Sequence, residues 1–154
     1  MGPLHADRFA PLDGPLAERW ARFPSGWDRV YFPTLVGLEL EEVRTDYARM
    51  RLPYRPELDQ PAGVVHGGAL ATLIDTVVVP AIGAYYPQMP VMLTIDMQIR
   101  YLGAAREVDL LGEGWVVKRG RSIVFCQASV TSEPDGDLVA EGWLTYRVVP
   151  PEGS

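Results

Sequence analysis

Asp75 stands in the run Leu70-Ala71-Thr72-Leu73-Ile74-Asp75-Thr76-Val77-Val78, a setting that ordinary packing does not explain. Leu70, Leu73, Ile74, Val77 and Val78 follow helical spacing, and Val79 and Ala81 carry the apolar surface nearly all the way round, as in a buried helix. An ionised carboxylate there is costly to desolvate, and aspartate is a poor helix former. Either it reaches a polar partner or solvent at a subunit edge, or it is kept for chemistry, as a base on water or as a nucleophile. Gly67 and Gly68, at the start of the same helix, supply a complementary function. The first N–H groups of a helix lack internal partners and sit at the positive end of its dipole. Without side chains, these two glycines let a carbonyl approach closely, and one such donor to a developing oxyanion is worth about 3 to 4 kcal/mol. The competing reading of the pair is a tight turn that needs glycine.

Spacing decides how the two halves could meet. Asp75 lies eight residues beyond Gly67, about 12 Å along one helix, too far for both to touch one reacting carbonyl at about 3 Å. Two copies packed antiparallel about a twofold axis would set the helix start of one beside the middle of the other. The catalytic reading therefore predicts a homodimer at least.

The elements that must hold these residues follow from periodicity and turn chemistry. Residues 1–34 are rich in proline and aromatics and form a lead-in, with a short helix around Pro15 to Phe23; Trp20, Phe23, Trp27, Tyr31 and Phe32 are expected to seal a core. Residues 35–154 form the main domain. From Leu35 to Leu52 the pattern is strand-like, a hairpin or one long bent strand, with Tyr47, Arg49 and Arg51 on one face and Ala48, Met50 and Leu52 on the other. Pro53, Pro56 and Pro61 mark a loop, and the helix then runs from Gly67 to about Tyr86 with a bend at Pro80. Four strands are expected at Val91 to Leu102, Val108 to Lys118, Ser122 to Thr131 and Leu138 to Val149, read as consecutive antiparallel neighbours. One long buried helix followed by a run of strands is an α+β pattern, an antiparallel sheet wrapped around a central helix.

Here the residues resemble the hotdog-fold acyl-CoA thioesterases of the phenylacetate-pathway type, whose signature is a glutamine or asparagine, a His-Gly-Gly helix start and an acidic residue within the helix. Gln60 stands six residues before His66 and Asp75 nine after it, and Thr94-Ile95-Asp96-Met97 occupies the following strand. The resemblance spans roughly Leu35 to Val149 and implies a hotdog fold, hydrolysis of acyl-CoA to free acid and CoA, no separate cofactor, and a homodimer or homotetramer. It implies Asp75 as general base or nucleophile, the Gly67 N–H as oxyanion donor from the opposite subunit, Thr94 orienting water, Gln60 positioning the carbonyl and His66 fixing the loop. His66 read by itself is a helix cap or tether, and Thr94 a β-branched strand residue. Lys118-Arg119-Gly120-Arg121-Ser122 is the clearest basic turn in an acidic chain; by itself it is a solvated hairpin, while the family uses the corresponding turn to meet CoA phosphates. Gly68, Asp96 and Tyr101 are expected along the same channel.

Composition removes other classes. A formal charge of -6 and a pI near 4.9 argue against nucleic-acid binding, and one cysteine with two histidines leaves no zinc cluster. Cys126, in an apolar run, reads as a buried thiol, and Gly-x-Ser-x-Gly, phosphate-loop and dinucleotide fingerprints are absent. Met1 to Ala10 lacks the apolar core of a signal peptide and the longest apolar stretch is too short to span a bilayer, so a cytoplasmic protein with no membrane partner is expected. The alternatives are a non-catalytic acyl-CoA-binding hotdog protein and, behind it, a hotdog hydratase or dehydratase.

Overall fold

The computed structural model describes residues 5–153; Met1 to Leu4 of the lead-in and Ser154 at the end of the main domain lie outside the described residues. A short 3-10 turn, His5–Arg8, precedes helices α1, Gly14–Trp20, and α2, Phe32–Val36. Proline near the first position starts both helices, since its missing N–H costs nothing there. Gly37 ends α2 at φ 92°, the left-handed conformation that glycine accepts most readily. The aromatics of this segment divide. Trp20 and Phe23 are buried, with the Trp20 ring so close to Gly83 that a β-carbon there would meet it at 2.5 Å, whereas Trp27 and Phe32 are exposed.

The main domain begins with a hairpin, β1 Glu39–Arg44 and β2 Tyr47–Leu52, turning at Asp46 with φ 67°. The expected division of faces in β2 holds: Ala48, Met50 and Leu52 are buried towards the core. The segment read as a proline loop also contains a miniature hairpin, β3 Asp59–Gln60 and β4 Val64–Val65, too short for periodicity to reveal. Helix α3, Gly67–Gly83, follows and passes through Pro80. It ends three residues short of the expected Tyr86, its last turn closed by Ala84 N–H donating to Pro80 O. The helix buries Leu70, Leu73, Ile74, Val77, Val78, Ala81 and Ile82, each such aliphatic worth about 1.5 to 3 kcal/mol on burial for the larger ones.

Strands β5 Val91–Tyr101, β6 Leu110–Arg119, β7 Ile123–Ser132 and β8 Leu138–Val149 complete one six-stranded antiparallel sheet in the order β1-β2-β6-β7-β8-β5. Gly112, Gly114 and Gly142 admit the helix: a β-carbon at any of them would stand 2.6 to 2.8 Å from Leu73, Val77 or Ile74. The result is the α+β hotdog architecture, a sheet wrapped on one central helix.

One expectation about the order fails. Strands β6, β7 and β8 are consecutive neighbours, but β5 crosses to the far edge and pairs with β8, Thr94 opposite Tyr146. The connection 102–109 looks like a turn, yet eight extended residues reach about 25 Å, more than the roughly 14 Å across three strand spacings. Leu102 and Gly103 N–H donate to Val139 O, steering the chain past the end of β8. Among the described residues no helix is long and apolar enough to cross a membrane.

Candidate active site

Asp75 sits half-buried on α3 against the inner face of β8 and β5. Along β8 the side chains of Leu144, Tyr146 and Val148 alternate towards the helix and are buried. Tyr146 therefore meets Asp75, its hydroxyl 2.6 Å from Oδ1 and 2.8 Å from the Asp75 backbone O. From β5 the Thr94 hydroxyl donates to the same Oδ1 at 2.9 Å. Neither donor reaches Oδ2, and no arginine, lysine or histidine pairs with the carboxylate among the described residues. Burial first, then the Asp75 charge, push Tyr146 ionisation far above the usual phenol range, so it is a neutral donor.

The helix start is built by the β3–β4 hairpin. His66 N–H donates to Leu58 O at 2.7 Å, and Arg106 holds Gly63 O at 2.9 Å. His66 is the N-cap: its Nδ1 accepts from Gly68 N–H at 2.7 Å, which leaves the proton of a neutral imidazole on Nε2. The Gly68 donor is thereby used within the protein. Gly67 N–H has no acceptor among the described residues, and Tyr101 closes over this glycine, its hydroxyl 3.1 Å from Gly67 O and its ring 3.2 Å from where a β-carbon would stand. Gln60 Oε1 accepts from Ala62 N–H at 2.8 Å. Its amide N–H₂ meets no acceptor among the described residues and is available to a ligand.

Within one chain, two parts of the expected channel lie away from Asp75. A bulge between Thr94 and Asp96 switches the alternation of β5, and Asp96 opposes Thr145. Because Tyr146 faces the helix, Thr145 and its partner Asp96 face away from it. The basic turn lies at the other end of α3. There Arg119 is committed: it pairs with Asp46, reaches Ile82 O at 3.2 Å and stacks 4.4 Å from the Tyr85 ring. Lys118 and Arg121 are exposed and make no ion pair among the described residues. Gly120 N–H closes the turn onto Ile123 O at 2.8 Å, and Ser122 O accepts from Val148 N–H at 2.8 Å. Cys126 is buried on β7, which pushes its thiol up to about 12, so it carries no nucleophile.

Tyr146 is the residue that reading the sequence for motifs misses. The signal was present, since an inward tyrosine on β8 must find a partner for its hydroxyl, but no short motif contains it. A cavity of about 570 Å³ is on the outer face of the sheet, lined by Glu113, Trp115, Gln127 and Trp143 among others, and does not include Asp75.

Comparison with known proteins identifies the family and the fold. The family model described as the thioesterase superfamily matches residues 62–139, which takes in His66, Gly67, Asp75, Thr94 and the basic turn. A protein of Halobacterium salinarum named as a candidate esterase is 34% identical over 126 residues, covering 75% of this chain and 82% of the relative. Human acyl-coenzyme A thioesterase 13 is 31% identical over 87 residues, 56% of this chain and 61% of that protein. Among solved structures, the Escherichia coli PaaI protein of the phenylacetic acid degradation operon superposes with a TM-score of 0.77 over 88% of this chain and 96% of its own; at 13% identity it shares the fold.

Proposed function

The chain belongs to the thioesterase superfamily, and on that premise we propose that it hydrolyses acyl-CoA thioesters to the free acid and CoA. The observation that carries the reading is the state of Asp75: a carboxylate in an apolar helix, held by neutral hydroxyls on Oδ1 and, among the described residues, with no cation and with Oδ2 free. A structural ion pair would supply a cation; a base needs an open oxygen. In the proposed reaction Oδ2 takes a proton from water as the water oxygen attacks the thioester carbon. The carbonyl oxygen, now anionic, is met by Gly67 N–H of a second copy and by the Gln60 amide. Collapse breaks the C–S bond, and the departing thiolate receives the proton from Asp75. Thr94 orients the water with the lone pairs its donated bond leaves free, and His66 keeps the Gly67–Gly68 turn in place.

A second copy supplies the oxyanion donor. Strand β5 is an open edge of the sheet and exposes Val91, Leu93, Ile95 and Met97, an edge of the kind that folded proteins cover by pairing. Antiparallel pairing there sets two α3 helices side by side in opposite directions and brings Gly67 of one to Asp75 of the other. The same arrangement puts the basic turn beside the opposite helix start, where Lys118 and Arg121 can meet CoA phosphates while Arg119 holds the turn. Within the superfamily the Gln60, His66-Gly67-Gly68 and Asp75 spacing fits the phenylacetate-pathway type, a cytoplasmic homotetramer.

Thiol release from aryl and aliphatic acyl-CoA panels by the native protein and by Asp75→Asn tests the reading. Equal turnover by both would sink the mechanism, tight binding without hydrolysis would favour an acyl-CoA-binding module, and a monomer by light scattering under active conditions would refute the shared site.

A further inference from the structure

We propose that Tyr146 is a positioning residue that charges and aims the Asp75 carboxylate by giving its single hydroxyl proton to one of two alternative acceptors, Asp75 Oδ1 or the Asp75 backbone oxygen. The inference rests on the reading of Asp75 as the base, and it concerns a residue outside the stretch that the family comparison matches.

The geometry provides both acceptors at hydrogen-bonding distance, 2.6 Å to Oδ1 and 2.8 Å to the backbone O, and a phenol has only one proton to give. The backbone oxygen lies within α3, where a carbonyl already accepts from the N–H four residues on. While Asp75 is ionised, the charged oxygen is the stronger acceptor and takes the proton. When Asp75 has accepted a proton from water, its acceptor strength falls, and the hydroxyl can turn to the carbonyl without becoming an unsatisfied buried donor. Tyr146 can thus support the charged form of the base and still leave the neutral form fully bonded.

Its surroundings suit that function. Tyr146 is buried, 2% exposed, so its ring cannot wander between substates with water as a substitute partner. The other titratable group beside it is the Cys126 thiol on β7, which burial keeps neutral. Thr94, from β5, adds the second neutral donor on Oδ1. With both donors on one oxygen, Oδ2 carries no hydrogen bond among the described residues and is the oxygen presented for proton transfer.

The test is Tyr146→Phe, which keeps the ring and removes only the donor, in the full chain. The Asp75 carboxyl is followed by carbon-13 NMR against pH, with Asp75→Asn identifying its signal, and thiol release is followed in parallel. Losing a donor to the charged form is expected to raise the Asp75 midpoint by about one pH unit, a tenfold change in proton affinity. The acid limb of kcat/KM should follow it, and kcat at neutral pH should fall about 10- to 100-fold with KM changed less than about twofold. If Tyr146→Phe proves too unstable, Tyr146→3-fluorotyrosine retains the fold and the donor while strengthening its acidity, and should move the midpoint down. An Asp75 midpoint unmoved in either variant overturns the proposal whatever the activity. A moved midpoint in a protein that hydrolyses no acyl-CoA upholds the Tyr146 contact and sinks the hydrolase reading instead.

Discussion

Asp75 and Glu113 lie on opposite sides of the same sheet, and each accepts a short bond from a tyrosine hydroxyl, Tyr146 at 2.6 Å and Tyr47 at 2.7 Å. Their surroundings differ in what else is near. Glu113, on the outer face of β6, opposes Arg49 across the ladder, and the same Oε1 accepts His5 N–H at 3.0 Å as the lead-in crosses the sheet. That crossing is pinned by Phe9 stacked on Tyr47, by Arg44 holding Ala6 O and by the Pro11 bridge to Arg44. Among the described residues Asp75 has no cation and no hydrogen bond on its second oxygen, and it meets the edge strand through Thr94. A tyrosine–carboxylate pair by itself therefore identifies nothing. What separates the two pairs, among the described residues, is the oxygen left without a hydrogen bond at Asp75 and the peptide segment fastened onto Glu113.

Exchanging the two carboxylates for amides tests this contrast most severely. Asp75→Asn removes the proposed base and is expected to lower kcat about 10²- to 10⁴-fold, with the thermal midpoint little changed, as read by thiol release and differential scanning fluorimetry. Glu113→Gln should do the reverse: turnover within about twofold of native, and a stability loss of about 1 to 3 kcal/mol in urea titrations as Tyr47 and the lead-in lose a charged acceptor. A Glu113→Gln protein that is stable but inactive would break the comparison.

A smaller effect follows from the tyrosines. Burial first, then contact with Glu113, push Tyr47 ionisation far above the usual phenol range, and Tyr146 is pushed the same way. Raised values mean that the fold retains protons which the unfolded chain releases, so this stability is fully present below about pH 10 and is lost as pH rises beyond it. Denaturation midpoints should hold up to about pH 10 and fall above it, less steeply in Tyr47→Phe. The smallest expected change is at His66. His66→Ala removes the cap on Gly68 N–H and should cost about 1 kcal/mol, much of it restored in His66→Asn, whose side chain can cap the same helix.

Local patterns carried the fold a long way. The central helix is visible as helical spacing and the four long strands as strand-like runs between turns, whereas for Leu35 to Leu52 the pattern left a hairpin and one long bent strand both open. The β3–β4 hairpin is not, since two-residue strands hold too little pattern. The place of β5 is not either: an eight-residue connection permits both a turn and a crossing, and burial pattern does not say which edge a strand joins. In the site, the anomaly of Asp75 and the glycine helix start were readable from residue type and spacing. That Gly68 N–H is consumed by His66 while Gly67 N–H is open depends on side-chain geometry at the cap.

What the sequence alone determined about this protein is the inventory: a carboxylate in an apolar helix, two glycines at its start, and the arithmetic of helical rise that keeps them apart in one chain. Only the tertiary structure decided which partners those groups meet. Tyr146 is 71 residues from Asp75 and Arg119 is 73 from Asp46, and contacts over such separations are set by strand order and register, which no local spacing records. The same β5 crossing that brings Thr94 and Tyr146 to one carboxylate oxygen also leaves an open edge, the edge on which the proposed shared site depends.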